Sequence, residues 1–429
     1  MIAARHAFGA ALVAVGLLGA GGASAQMRGH GGPVRAIVVT PDGDTAVSGS
    51  FDQSAIVWSL EEGAARQVLR FHDGAVNAVA LLTKGGFLTA GEDGRIALWR
   101  RSATAPEQVI DAHKGPIVAL SVSADGALVA SASWDGTARV TPLEAGAVRV
   151  LEGHQGNVNG VAFLPGGGIV TAGYDATLRI WPADTRGAPV VRTLPTALNG
   201  VAVAPDGEIV VAGADGVVRM LRPDGTERAH VQVSPSPAIA LALSPDGRRI
   251  AAATIAGAVA VIDRESATVA LTLVGPGLPV WSVAFRPDGR ELVTGGGDRM
   301  VRRWSAVTGE PVGALAMARP GDELAAFNGD RGAEVFQACV ACHTLTPDQG
   351  NRAGPTLHGV FGRRIASLPG YNFSEPLKSL DITWTPETVS KLFEVGPARY
   401  TPGTKMPEQT ISDPADREAL VRFLERATR

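Results

Sequence analysis

The segment TAGYDATLRIW, residues 171–181, decides the fold because its pattern returns along two thirds of the chain. A turn aspartate, Asp175, is followed six residues later by Trp181, with strand-forming residues between them. The pair recurs, in full or degenerate form, as Asp52/Trp58, Asp93/Trp99, Asp135/Thr141, Asp215/Leu221, Ala256/Ile262 and Asp298/Trp304. Successive copies are 41, 42, 40, 40, 41 and 42 residues apart, which predicts seven repeats of one structural unit.

Histidine and hydroxyl residues keep the same spacing. The histidines precede the repeat aspartate by 21 or 22 residues and are His30, His72, His113 and His154. The hydroxyl residues stand four positions before the aspartate and are Ser48, Thr89, Ser131, Thr171 and Thr294. This phased set resembles the WD-repeat family over about residues 31–317. The resemblance implies an all-β, seven-bladed propeller in which His, Ser/Thr, Asp and Trp form a buried hydrogen-bonded tetrad in each blade.

Some repeats depart from this pattern. Repeat 3 has Thr141 in place of the Trp, repeat 7 lacks the His, and repeats 5 and 6 have lost most of the signature. We expect repeats 5 and 6 to rely mainly on apolar packing. Residues 34–40 can form the innermost strand of blade 1 and residues 311–317 the outermost strand of blade 7. Every blade would then be contiguous in sequence, so no N-terminal strand is expected to complete the last blade, although Met27 and Arg28 could add a little pairing.

The two cysteines of the chain indicate a cofactor. They occur in Cys339-Val-Ala-Cys342-His343, and C-x-x-C-H is the attachment motif of c-type haem. A thioredoxin-like dithiol would need a βαβ context, zinc would need His343 and His358 to complete four ligands, and a disulfide closing so short a loop would stabilise little. One covalently attached haem, with His343 as an axial ligand, is therefore the preferred interpretation.

Met406 is the only methionine after this motif, and it lies in a loop rich in Pro and Gly, which makes it the candidate sixth ligand. Residues 328–428 resemble the all-α, class I soluble cytochromes c of the mitochondrial and alphaproteobacterial type. The similarity is carried by residues 354–359, 361–363, 369–371, 382–385 and 402–406. By position, the resemblance implies haem surroundings formed by Pro355, Arg363, Tyr371, Trp384, Tyr400 and Thr404. In particular, the Pro355 carbonyl would accept the His343 N–H, and Arg363 and Trp384 would lie near the propionates. Phe373 and Thr356 depart from the family, which often has Tyr and Asn there.

The N-terminal residues 1–25 read as a secretory signal, with Arg5 and His6 before an apolar run and Ala23-Ser-Ala25 as a cleavage site. The predicted domains are this signal, a propeller over 31–317, a linker over 318–327 and a cytochrome c domain over 328–429. We expect a periplasmic protein without a membrane span. The near balance of 39 Lys and Arg against 42 Asp and Glu argues against nucleic acid as a partner.

These patterns favour an electron carrier whose propeller docks a redox partner, rather than an enzyme. His/Met ligation leaves no open coordination position for substrate. The alternative is an oxidoreductase whose propeller holds a second catalytic site, although His230 is the one propeller histidine outside the repeat positions. A redox-sensing interaction protein is a third possibility. Phe51, Trp134 and Tyr174 precede the turn aspartate in repeats 1, 3 and 4 and are candidate partner-binding residues, unless this turn position is simply variable.

Overall fold

The computed structural model describes residues 26–429 except 101–102, 104, 185–186, 276, 314–323, 337–338, 341–342, 348–353, 370, 372, 374, 403, 405 and 407–409. Within these residues, 28 strands form seven four-stranded antiparallel sheets, each a blade of one propeller. The predicted signal at 1–25 and most of the predicted linker lie outside the described residues.

The strands of each blade are given from the channel outward. Blade 1 contains β2 (Val34–Val39), β3 (Thr45–Ser50), β4 (Ser54–Ser59) and β5 (Ala64–Arg70). Blade 2 contains β6 (Val76–Leu81), β7 (Phe87–Gly91), β8 (Arg95–Trp99) and β9 (Gln108–Asp111). Blade 3 contains β10 (Ile117–Val122), β11 (Leu128–Ser133), β12 (Ala138–Pro142) and β13 (Arg149–Leu151).

The other four blades follow the same order. Blade 4 contains β14 (Val158–Phe163), β15 (Ile169–Gly173), β16 (Thr177–Trp181) and β17 (Val190–Thr193). Blade 5 contains β18 (Leu198–Val203), β19 (Ile209–Gly213), β20 (Val217–Leu221) and β21 (Glu227–Gln232). Blade 6 contains β22 (Ala238–Leu243), β23 (Arg249–Thr254), β24 (Ala258–Asp263) and β25 (Thr268–Val274). Blade 7 contains β26 (Val280–Phe285), β27 (Glu291–Gly296), β28 (Met300–Ser305) and, outermost, β1 (Gln26–Arg28).

The second strand of each blade is the most deeply buried because it is covered on both faces by neighbouring blades. In β15, all five residues from Ile169 to Gly173 are buried, whereas the outermost strand β17 is mostly exposed. Continuous runs of small and β-branched residues suit such a doubly covered strand.

The tetrad joins the strands of blade 4 to its turn. His154 Nδ1 donates to the Asp175 carboxylate at 3.1 Å, and the Thr171 hydroxyl, 2.8 Å from His154 Nε2, donates to that nitrogen. The same hydroxyl accepts the Trp181 indole N–H at 3.0 Å. Because each buried polar group has a partner, the network avoids the cost of an unsatisfied donor or acceptor. Blades 1 and 2 contain the same tetrad, and blade 3 contains it without the Trp.

Arginine replaces histidine where the repeat signature is weak. In blade 5, Arg219 Nη2 donates to Asp215 at 2.6 Å, and in blade 7 Arg302 Nη2 contacts Asp298 at 2.6 Å. Blade 5 combines this ion pair with two wholly buried apolar strands, so the expectation that it relies mainly on apolar packing stays a prediction. In both blades the arginine lies four residues after the turn aspartate. Its guanidinium donates to the carboxylate in place of the histidine imidazole.

The N-terminal strand β1 closes the ring. Gln26, Met27 and Arg28 pair antiparallel with Arg302, Val301 and Met300, so the prediction that blade 7 is completed by residues 311–317 is wrong. Two arginines of blade 7 also reach blade 1, with Arg303 Nη1 donating to the Leu60 carbonyl at 2.8 Å and Arg286 Nε to the Gly43 carbonyl at 3.1 Å. The suggested pairing of Met27 and Arg28 is present, but their completion of blade 7 was not predicted because three residues have no detectable periodicity.

Helices form the described regular structure of the C-terminal domain. They are a 3-10 turn (Ala325–Phe327), α1 (Arg331–Phe336), α2 (Glu375–Lys378), α3 (Pro386–Val395), α4 (Pro397–Tyr400) and α5 (Pro414–Ala427). Helix α1 crosses α5 at Gly332, where a Cβ atom would lie 2.1 Å from the Ala419 carbonyl oxygen. Phe336 and Phe423 pack beside this crossing with ring centroids 5.4 Å apart. The crossing therefore requires glycine. No helix within the described residues is long and apolar enough to cross a membrane.

Met27→Ala should destabilise the propeller by about 2–5 kcal/mol, since this side chain is fully buried between blades 7 and 1. The midpoint of urea unfolding, followed by tryptophan fluorescence, measures the change. Val307→Ala in an exposed turn of blade 7 is the control and should change stability by less than about 0.5 kcal/mol. Equal midpoints for the two variants would contradict a closing role for β1.

Stability should fall as the pH is lowered from 7 to 5. Burial lowers the folded-state pKa of His113 and His154 below 6.5 and outweighs the opposite effect of Asp135 and Asp175. The unfolded state therefore takes up protons more readily as the pH falls through about 6.5, which favours unfolding. Urea midpoints at several pH values test this. His113→Gln should give a less stable protein with a shallower dependence on pH, and an unchanged slope would refute the assignment.

A second loss of stability is expected at lower pH. Burial raises the pKa of Asp175, but hydrogen bonds from Gln155, Thr177 and His154 outweigh it and lower that pKa to about 2. The ionised Asp175 carboxylate therefore contributes to the stability of the folded protein. This contribution is retained above about pH 4 and disappears as the pH approaches 2.

Candidate functional site

Cys339 and His343 lie one helical turn apart just after α1. The Cys339 amide donates to the Phe336 carbonyl at 2.7 Å, and the His343 amide donates to the Cys339 carbonyl at 2.9 Å. Cys339 is 8% exposed and belongs to the core of the domain. Cys342 lies outside the described residues, so its predicted role stays a prediction.

One ring nitrogen of His343 is held by the backbone. His343 Nδ1 lies 2.8 Å from the Pro355 carbonyl oxygen, an acceptor, so Nδ1 carries the hydrogen and donates it. The lone pair of the neutral imidazole is then on Nε2, the nitrogen that can bind a metal. Gly354 allows the loop to approach the ring, since a Cβ atom there would lie 2.4 Å from His343 Cε1. The sequence pattern alone does not indicate this role of Gly354, because it depends on the approach of the loop to the ring.

His343 and Met406 line the same apolar cavity. Its walls include Phe336, Leu392 and Phe393 from α1 and α3. On the Met406 side, the Thr404 amide donates to the Thr401 carbonyl at 3.0 Å, and the Thr404 hydroxyl accepts the Met406 amide at 3.2 Å. These bonds form a tight turn that holds the methionine at the cavity. Thr404 itself also lines the cavity, whereas Tyr400 packs against the core cluster of the domain.

Arg363, Tyr371 and Trp384 line the cavity as well. Arg363 Nη1 donates to the His358 carbonyl at 3.1 Å and Nη2 to the Thr356 carbonyl at 2.9 Å, while burial lowers the pKa of its guanidinium. Such a partly buried cation favours an anionic group nearby. The Trp384 amide donates to the Arg363 carbonyl at 2.9 Å, and the Gly362 amide donates to the Trp384 carbonyl at 2.8 Å, so the two segments are held together.

The described residues fit a haem. The cavity is apolar, the tautomer of its histidine has the lone pair on Nε2, a thioether sulfur lies at the same cavity, and Arg363 is a cation beside it. His358 does not line this cavity. Within the described part of the chain, no group of three or more His, Cys, Asp and Glu side chains is placed to hold a metal ion.

Four propeller residues also line the cavity, namely Phe51, Gln53, Ala75 and Glu92. They come from blades 1 and 2, at the turns that follow β3 and β7 and in the loop before β6. Sequence analysis singled out Phe51 for partner binding but could not predict its place at the cavity, because the two domains are separate in sequence.

The other two candidate partner-binding residues project from the propeller surface. Trp134 is 46% exposed and donates its indole N–H to Asn159 Oδ1 at 3.0 Å, and Tyr174 is 63% exposed. Their binding role stays a prediction. His230 is an exposed residue of β21 that pairs with Glu227, 2.7 Å away.

The fold and the site define a WD-repeat propeller joined to a cytochrome c domain. The family model "WD domain, G-beta repeat" matches residues 22–59, 63–100, 104–141, 146–182, 189–220 and 268–305. The model "Cytochrome c" matches residues 329–428. The chain therefore belongs to the WD-repeat proteins and carries a C-terminal cytochrome c domain. The matched WD segments leave out residues 221–267, which contain most of the degenerate blade 6.

Relatives of known identity resemble each domain separately. Cytochrome c of Cochliobolus lunatus and cytochrome c of Arabidopsis thaliana are each 41% identical over 100 residues, which is 23% of this chain and 92% and 88% of those proteins. The WD40 β-propeller domain of Doa1 is similar in fold, with a TM-score of 0.60 and 24% identity over 66% of this chain and 97% of that one.

Gly354→Ala should reduce the haem content of the purified protein, because the added Cβ atom displaces the His343 ring. Haem per chain is measured by absorbance. Gly359→Ala in the same loop is the control. Its Cβ atom meets nothing within 4 Å, so only the backbone strain of a φ of 63°, about 1–2 kcal/mol, is added and haem content should be kept. Equal haem content in the two variants would contradict this role of Gly354.

Proposed function

We propose that this protein is an exported electron carrier of the class I type, with one covalently attached haem c and a propeller that docks a redox partner. The observation that carries the proposal is the common cavity of His343 and Met406, with His343 oriented by the Pro355 carbonyl. A haem bound there supplies reversible one-electron oxidation and reduction of iron.

The residues of the chain have distinct roles in this proposal. Cys339 and Cys342 hold the haem covalently, and His343 and Met406 are its axial ligands. Arg363 balances a propionate charge, and the apolar walls exclude water from the haem. Because His343 and Met406 would both bind the iron, they would leave no position there for substrate, and the site would supply electron transfer alone.

The location of the protein is part of the proposal. The signal-like pattern of residues 1–25 supports export to the periplasm, the compartment in which we place haem attachment.

The C-terminal residues 319–429 contain 13 Lys and Arg against 14 Asp and Glu, so long-range electrostatic attraction to a partner is weak. A fused docking domain compensates for weak attraction by adding contact area.

Met406→Leu should remove the methionine–iron(III) charge-transfer band from the spectrum of the oxidised holoprotein, since leucine has no sulfur to bind iron. Met300→Leu in blade 7 is the control and should retain the band. Iron analysis of the unaltered protein should give one iron per chain. A band that persists in Met406→Leu, or a second metal or chromophore, would contradict the carrier. A second metal or chromophore would favour an enzyme with another redox centre in the propeller.

A further inference from the structure

The seven inner strands share a β-bulge at their second residue. The register of each inner strand with its neighbour shifts at this point, as between Val34 and Ala36 in β2. The bulged residues are Arg35, Asn77, Val118, Asn159, Asn199, Ile239 and Trp281. They lie where the inner strands begin, at the end of the channel that carries the turns with Phe51 and Trp134. Arg35 is the one charged residue among the seven.

Arg35 lies in an aromatic setting. Its guanidinium carbon is 5.4 Å from the centroid of the Trp281 ring, and Trp281 also meets Phe51 with centroids 6.2 Å apart. The side chain is partly exposed. Burial lowers the pKa of Arg35 to about 10, with no charged group opposing the shift, and no ion pair joins Arg35 to another described residue.

This geometry suits a carboxylate. A guanidinium held by a cation–π contact keeps its N–H donors in its own plane, so they remain able to form two parallel bonds to one carboxylate. Partial removal from water strengthens that interaction. In contrast, Asn159 and Asn199 at equivalent positions already donate to backbone carbonyls of the next blade, at Leu198 and Ala238.

We propose that Arg35, Trp281 and Phe51 form a docking site for a carboxylate in an acidic segment of the redox partner. Charge complementarity supports this choice of partner, because Arg35 is a partly exposed cation beside Trp281 and forms no ion pair with a described residue. Phe51 also lines the haem cavity, so a segment held at Arg35 lies beside the site of electron transfer. The inference rests on the proposed docking role of the propeller and specifies the chemistry of the partner.

The full-length holoprotein is titrated with a tetraglutamate peptide by calorimetry, with a tetraglutamine peptide as the uncharged control. We expect tetraglutamate to bind and tetraglutamine not to bind. The affinity for tetraglutamate should fall as salt is added. Arg35→Gln should weaken binding about tenfold or more, and Arg35→Lys less. Arg66→Gln on the outer strand of the same blade is the matched control and should leave affinity unchanged. Trp281→Leu should weaken binding through loss of the cation–π contact.

Several outcomes would overturn the proposal. These are no binding of tetraglutamate at millimolar concentration, equal binding of both peptides, or equal affinity of the Arg35→Gln variant and the unaltered protein. Arg35→Gln should also leave the reduction potential unchanged without peptide. A shifted potential with unchanged peptide affinity would instead make Arg35 part of the haem surroundings. Since the charge-transfer band is measured on the same samples, failure of docking is distinguished from failure of haem ligation.

Discussion

The antiparallel pairing of β1 with β28 is the interaction on which the rest of the propeller depends. Each blade packs on the next, so the ring is stable only when the seventh blade is complete and packs against the first. Strand β1 is the outermost strand of blade 7, and the Met27 side chain fills the space between blades 7 and 1. Arg286 and Arg303 add hydrogen bonds across the same boundary. The first and last strands of the propeller are thereby held in one sheet.

Within the ring, the turn aspartate needs a cationic or N–H partner, and two residue types supply it. His154 does so from the loop before its blade, and Arg219 does so from a strand of the same blade. Blade 6 has alanine at this turn and needs neither. Its contact with blade 5 is reinforced by Glu208, which contacts both Arg228 and Arg264. The degenerate repeats thus keep the backbone of a blade while changing the polar contacts that stabilise it.

The sequence was sufficient for features whose signal is local or periodic. The spacing of Asp52, Asp93 and their equivalents predicted seven blades because each blade repeats the same turn and strand. The arginine at Arg219 and Arg302 also recurs at Arg139 and Arg179, but there histidine binds the aspartate, so recurrence alone does not reveal the role of the arginine. The pairing of Gln26 with Arg302 and the contact of Arg35 with Trp281 could not be predicted, because both join residues far apart in sequence with no shared pattern.

The position of β28 has a mechanical consequence for the tether between the domains. After β28, Pro311 forms an antiparallel bridge with Trp304, and the cytochrome domain follows in sequence. Strand β28 is hydrogen-bonded on both sides, to β27 and to β1, rather than at the sheet edge. Removing β28 from the ring therefore requires two ladders of hydrogen bonds to break, whereas an edge strand is held by only one.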